Sequence, residues 1–243
     1  MRTENDIAFH IIGAGRGGTS LLAGLLDYHS QLEVGFEKHS VKYLMGKDIQ
    51  CPNSDIFDAR VKAYISACKT TARKHPQSLW GNKITTEQIF GLEDHNTANP
   101  SSQINVLDQF LNTSLKGTAL IFILRDGRTC IPSKVRRTGQ SMEEACDRWL
   151  YSAACYHFIE ENHARNICIR FEDLLTQPEP ILTEICNFLN IPYEKEMLKG
   201  TDNEKMLPEY RNSKLDLSKM ESITIPEHCM KKMSDELKRC QYQ

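Results

Sequence analysis

The sequence lacks any apolar run of the ~18 residues that a membrane-spanning helix needs. It also lacks a charge bias. Thirty Lys and Arg face 32 Asp and Glu, for a net charge of -2, which leaves no global basic field of the kind that holds nucleic acid. No C-x-x-C pair occurs among its nine cysteines. An odd, dispersed set of this kind is expected of reduced thiols, many of them filling the core. No internal repeat and no linker interrupts the chain. Only MRTEND precedes the first apolar segment, too little for a signal peptide, so the expected location is cytoplasmic. The sequon Asn112-Thr113-Ser114 is then a chance occurrence. With 40% hydrophobic and 26% charged residues in 243, the composition is that of a soluble globular protein with a substantial core.

Against these absences stands a local excess of glycine. An apolar run, Ile7 to Ile12, predicts a buried strand. It breaks into Gly13-Ala14-Gly15-Arg16-Gly17-Gly18, four glycines in six positions. Thr19-Ser20 and an apolar helical stretch, Leu21 to Leu26, follow. Strand, glycine loop and helix in that order form a cradle for a phosphate-like anion: backbone N–H groups turn inward and the helix N-terminus adds its positive end. Thr19 and Ser20 add hydroxyl donors, and Arg16 brings a fixed positive charge.

Two fingerprints nearly fit this loop. Gly13, Gly18 and Ser20 match G-x-x-x-x-G-K-[ST], but Thr19 stands at the lysine position, which removes the charge an ATPase or kinase directs at the terminal phosphates. Gly13, Gly15 and Gly18 match G-x-G-x-x-G, which with Glu33 or Glu37 on a ribose would serve an NAD(P)-dependent oxidoreductase. Both stay open on this segment alone.

Further along, Gln31 to Phe36 predicts a short strand with Glu37 just past its end, and His29 reads as a cap at the far end of the preceding helix. Residues 55–75 predict an amphipathic helix with an apolar side through Ile56, Ala59, Ala63, Ile65 and Ala67. Ser78 to Ile84 predicts a strand that delivers Lys83 at its end, and Thr85-Thr86-Glu87 a helix start. Asp94 to Ser102 reads as a loop, and Ile104 to Leu115 as a helix.

A second informative stretch is Gly117 to Gly139. Ala119 to Leu124 is uniformly apolar, as a central parallel strand is. Arg125-Asp126-Gly127-Arg128 follows directly, then a helix with Ser133 and Arg137 four apart on one face. Two guanidiniums and a hydroxyl make a second anion site suited to a phosphate monoester, which neither nearby fingerprint requires. Residues 141–163 form a long helix opened by a capping box, Ser141 with Glu144. Trp149, Tyr151, Ala154 and Phe158 are assigned to its buried or pocket side. Asn166 to Phe171 predicts another buried strand and Pro178 to Leu189 a helix. Beyond 194 the chain is polar with weak periodicity, and 196–243 is expected to be an arm or lid on a single domain, 1–243, whose core runs from about 7 to 195.

Taken together, the two anion sites resemble those of the sulfotransferases that use 3′-phosphoadenosine 5′-phosphosulfate (PAPS). Gly15-Arg16-Gly17-Gly18-Thr19-Ser20-Leu21 resembles the family's 5′-phosphosulfate loop, P-R-S-G-T-T-L, with glycines replacing its proline and serine. Arg125-Asp126-x-Arg128 with Ser133 and Arg137 resembles the 3′-phosphate motif. The IRFEDL and FLNIPY segments resemble the family's later part. Within the family the motifs are most similar to protein-tyrosine and bacterial sulfotransferases: Glu37 lies 21 positions after Arg16, and Asn82-Lys83 matches an N-K-x-x motif. The resemblance implies an α/β, three-layer P-loop-type fold with a central, mostly parallel sheet flanked by helices. It implies Glu37 as general base, with Arg16 and Lys83 stabilising the transferring group. Gly15, Arg16, Gly17, Gly18, Thr19, Ser20, Arg125, Ser133 and Arg137 would bind the nucleotide, and no metal is required. The acceptor would carry a hydroxyl; carbohydrate, lipid, peptide tyrosine and small molecules all stay open. So does a non-catalytic nucleotide-binding module.

Overall fold

The computed structural model describes residues 7–47, 49–208, 211, 215 and 224–242. The segment on which the signal-peptide expectation rests, 1–6, lies outside them, as does most of 209–223. Five strands, β1 (Phe9–Ile12), β2 (Leu32–Phe36), β3 (Leu79–Lys83), β4 (Ala119–Leu124) and β5 (Asn166–Arg170), form one sheet in the order β2-β3-β1-β4-β5. All four pairings are parallel.

Strand alternation divides the core into two layers. Phe9, Ile11, Ala119, Ile121 and Ile123 face α1 (Thr19–Asp27), α8 (Phe171–Thr176) and α9 (Pro178–Leu189). Ile12, Leu120, Phe122 and Leu124 face α3 (Ile56–Ala72), α7 (Met142–Asn162) and α10 (Glu227–Arg239). All six residues of β4 are buried, as a strand covered on both faces must be. The fold is therefore α/β, with helices on both sides of a parallel sheet. The short helices α2 (Ser40–Tyr43), α4 (Thr86–Phe90) and α5 (Asp94–Ala98), with α6 (Gly127–Thr138), complete the connections.

Several local expectations are corrected. In α3 the buried side is Ile56, Phe57, Arg60, Val61, Tyr64, Cys68 and Ala72, not the alanine-based side. Polar residues enter this core because they find partners: Arg60 Nη1 donates to the Gly91 carbonyl and to Asp94, both at 2.8 Å. Residues 94–98 are helical where a loop was expected, and Asp108–Ser114 is a π-helical segment within the expected helix. Strand β5 is an edge strand and only Ile169 in it is fully buried. In α7 Trp149 is buried, but Ala154 is exposed and Tyr151 and Phe158 are half-buried. His29 does not cap a helix: its Nδ1 accepts from the Gln31 N–H, so its Nε2–H donates to the Pro192 carbonyl at 2.7 Å.

The described end of the C-terminal segment docks on the core through a helix. Cys229, Met233, Leu237 and Cys240, at spacings of four, four and three, form a buried stripe of α10 and its C-cap. The stripe packs on α7, and His157 of α7 pairs with Glu236 at 2.7 Å. Interleaved lysines and glutamates hide this period from a simple hydropathy reading.

Candidate active site

The site lies where the strands end, at the carboxyl edge of the sheet, the usual ligand side of an open parallel sheet. The loop after β1 supplies Gly13–Gly18, the residue after β2 is Glu37, β3 ends in Lys83, and the residue after β4 is Arg125. Gly15, Arg16, Gly18, Glu37, Lys83 and Arg125 line one cavity of about 790 Å³. A second cleft, of about 930 Å³, opens at the amino ends of the strands around Ser78, Lys116 and Arg165 and contains none of the candidate residues.

Glu37 is held on three sides. Lys83, whose side chain is almost wholly buried, makes an ion pair with Oε1. Gln88 Nε2 donates to Oε2 at 2.7 Å. The orientation of that amide is fixed, because its Oε1 accepts the Thr85 N–H at 3.0 Å as part of a capping box on α4. The Glu37 carbonyl accepts from the Ser40 hydroxyl at 3.0 Å. Glu37 and Arg16 both have positive φ, 54° and 74°. Such backbone is costly for side-chain-bearing residues and persists only where the surroundings hold it.

Behind Lys83 runs a buried polar chain. Asn82 Oδ1 accepts the Lys38 N–H, and its Nδ2 donates to the Lys38 carbonyl and to the Tyr64 hydroxyl. That hydroxyl is also hydrogen-bonded to His10 Nε2 at 2.9 Å. Complete burial pushes the His10 pKa down to about 3, so the ring is neutral in the folded state. Below pH 6.5 the unfolded chain binds a proton at His10 that the native state refuses, and stability falls as pH drops. Between pH 6.5 and 4.5 the wild type is expected to lose about 2–3 kcal/mol more than His10→Gln. Urea midpoints at the two pH values measure this, and equal losses would contradict it.

The two anion clusters meet in space. Arg16 Nε donates to Ser133 Oγ at 3.1 Å, and Arg125 Nη1 donates to the Arg16 carbonyl at 2.9 Å. Arg125 is buried over the Phe171 ring, 4.6 Å from its centroid, and burial lowers its pKa. Trp149 Nε1 donates to the Arg125 carbonyl at 2.9 Å. Helix α1 is preceded by Gly18 as its N-cap, with φ 97° and no capping side chain, so its first N–H groups are not taken by a side-chain acceptor there. Gly18 has a second constraint: a Cβ there would lie 2.2 Å from Phe171. Gly18→Ala is expected to cost about 3 kcal/mol, from combined overpacking and backbone strain. Chemical denaturation checks this, and an unshifted midpoint would contradict it.

Of the candidate residues, only Gly17 is off the cavity wall. Its N–H donates to the Ala14 carbonyl at 2.8 Å, within the loop itself.

The family follows from the sequence match. Residues 9–195 fit the model of the sulfotransferase family. The chain belongs to this family.

Solved structures agree on the fold. The sulfotransferase domain of the Synechococcus PCC 7002 olefin synthase aligns with a TM-score of 0.68 at 16% identity, over 100% of this chain and 98% of that one. The sulfotransferase domain from the curacin biosynthetic pathway gives 0.62 at 17%, over 98% of each. Sulfotransferase STF9 from Mycobacterium avium gives 0.57 at 12%, over 97% of this chain and 77% of that one. Such identities speak for the fold alone, the P-loop-like sulfotransferase fold. Among curated proteins no match is found. Among the described residues no helix is long and apolar enough to cross a membrane.

Both acids of the dinucleotide reading are ion-paired. Glu33 pairs with Lys205 at 2.6 Å, and Glu37 is bound as described. Sequence reasoning missed three groups. Gln88 was signalled by its place three residues after Thr85. Glu87 accepts the Gly15 N–H at 2.9 Å and pairs with buried Lys134, a tertiary arrangement with no local signature. Gly15 thus provides an N–H that a proline would lack. Glu172, in the IRFEDL segment, accepts the Asp126 N–H at 3.1 Å and the Tyr242 hydroxyl at 3.0 Å, tying the C-terminal end to the loop after β4.

Proposed function

We propose that the chain transfers a sulfuryl group from PAPS to an acceptor hydroxyl, with Glu37 as general base. The observation that carries this reading is the Glu37–Lys83 pair on the wall of the cavity that also holds the glycine loop and the Arg125–Ser133 cluster. The acceptor O–H gives its proton to Glu37 while its oxygen attacks sulfur. The bond from sulfur to the bridging phosphate oxygen breaks, and 3′-phosphoadenosine 5′-phosphate (PAP) leaves. Negative charge grows on the departing oxygen. Lys83, Arg16 and the N–H groups at the start of α1 are fixed donors for that charge, the arrangement that contributes most when donors are oriented before reaction. Lys83 moves from Glu37 to the sulfuryl group as the donor binds, which frees Oε1 to take the proton. Arg125, Ser133 and Arg137 hold the 3′-phosphate and so separate PAPS from nucleotides that lack it.

The test is transfer of labelled sulfate from PAPS to a panel of hydroxyl acceptors. Labelled ester is the expected product. PAP binding with neither ester formation nor PAPS consumption would instead mark a non-catalytic nucleotide-binding module.

A further inference from the structure

The cavity wall is chemically polarised. The side formed by α6, which follows β4, is polar and basic, with Lys134, Arg136, Arg137 and Thr138 on its wall. The wall also carries Phe36, Val41, Met45 and Leu207, the first three from the segment around Glu37 that follows β2. Met45 and Leu207 are 37% and 52% exposed, two of the three large apolar side chains that the described surface leaves in solvent. Their convergence on one cavity is the pattern of a binding wall, since single scattered exposures are the norm elsewhere. Val41 and Met45 follow Glu37 by four and eight residues, and the first turn of α2 is hydrogen-bonded to the Glu37 carbonyl, so this wall starts at the proposed base.

Polar groups beside this apolar wall are few. Lys205 is committed to Asp27 and Glu33, at 2.7 and 2.6 Å. Gln88 is committed to Glu37 and Thr85. A carbohydrate acceptor would need several convergent donors and acceptors to replace its lost water, and among the described residues Lys47 is the remaining charged group there.

We infer that the acceptor is a small apolar alcohol or phenol whose hydrocarbon part lies on Phe36, Val41, Met45 and Leu207 and whose hydroxyl meets Glu37. This rests on the sulfuryl-transfer reading. The basic side takes the nucleotide, the apolar wall takes the acceptor, and the products are the sulfate ester and PAP.

The test has two arms. In the first, PAP binding is measured by calorimetry. In the second, PAP release from PAPS is followed with straight-chain alcohols of increasing length, with simple phenols and with mono- and disaccharides. KM is expected to fall about fourfold per added methylene, the effect of burying one CH₂. Saccharides are expected to be turned over at less than about a tenth of the rate. Met45→Glu and Leu207→Glu, both at exposed positions, are each expected to raise KM for the longer alcohols about tenfold with PAP affinity unchanged. A flat chain-length series, a preference for saccharides or an unmoved KM in both variants overturns the inference. So does PAP binding without sulfation of any alcohol or phenol, which leaves the donor site standing. Absence of PAP binding removes the sulfuryl-transfer reading itself.

Discussion

Glu37→Ala is expected to lower kcat for sulfuryl transfer by a factor on the order of 100 to 10,000, the usual contribution of a positioned general base. The affinity for PAP should stay within about threefold, because Arg125, Ser133 and Arg137, proposed for the 3′-phosphate, follow β4, three strands along the sheet from Glu37. Two features sharpen the expectation. Glu37 is held by both Lys83 and Gln88, so its removal also releases the Lys83 ammonium, the proposed donor to the transferring group. Its side chain is partly exposed, at 36%, so the substitution leaves no buried void of the kind that unfolds a domain. Steady-state rates on PAPS with a responsive acceptor, paired with calorimetry on PAP, check both halves. Full turnover in the variant would remove Glu37 as base. Loss of PAP binding alongside activity would make it a structural residue of the donor site.

Arg137→Ala is expected to weaken PAP binding by a factor on the order of 100, the loss of a charge-assisted contact to a phosphate dianion. Arg137 is exposed on α6, so folding should be unaffected. Arg125→Lys is expected to do at least as much damage. The guanidinium of Arg125 serves three purposes: Nη1 holds the Arg16 carbonyl, Nε donates to Thr129 at 3.0 Å, and the plane stacks on Phe171. A lysine retains the charge but not the planar fork, so it cannot fill all three. The comparison between PAP and adenosine 5′-phosphate separates the roles. Arg137→Ala should abolish most of the preference for PAP, and a preserved preference would put the 3′-phosphate elsewhere.

The parts of this account that were legible in the sequence are those encoded within one element. Ala119 to Leu124 is apolar without interruption, and the strand forms at those six residues. Ser141 and Glu144 form the expected capping box. Glu37 and Lys83 each follow or end a short strand, and parallel pairing of β2 with β3 places Phe36 opposite Lys83, which brings the two side chains together. What was illegible depends on long-range pairing. Nothing local marks Glu87 as the acceptor of the Gly15 N–H, 72 positions away, or Lys134 as its counter-ion. The buried side of α3 was misread because Arg60 and Tyr64 enter the core only with partners on other segments. Nothing local marks the turn in which the Gly17 N–H donates to the Ala14 carbonyl. Strand order likewise has no local signature. It emerges from which faces the helices cover.

Calorimetric titration of the purified protein with PAP, in the presence of EDTA and beside ATP and NADH, tests the central claim most directly. One-to-one binding of PAP at micromolar affinity is expected, with ATP at least about tenfold weaker because it lacks the 3′-phosphate that Arg125, Ser133 and Arg137 would hold. No heat with PAP, together with clear binding of NADH or ATP, would contradict it.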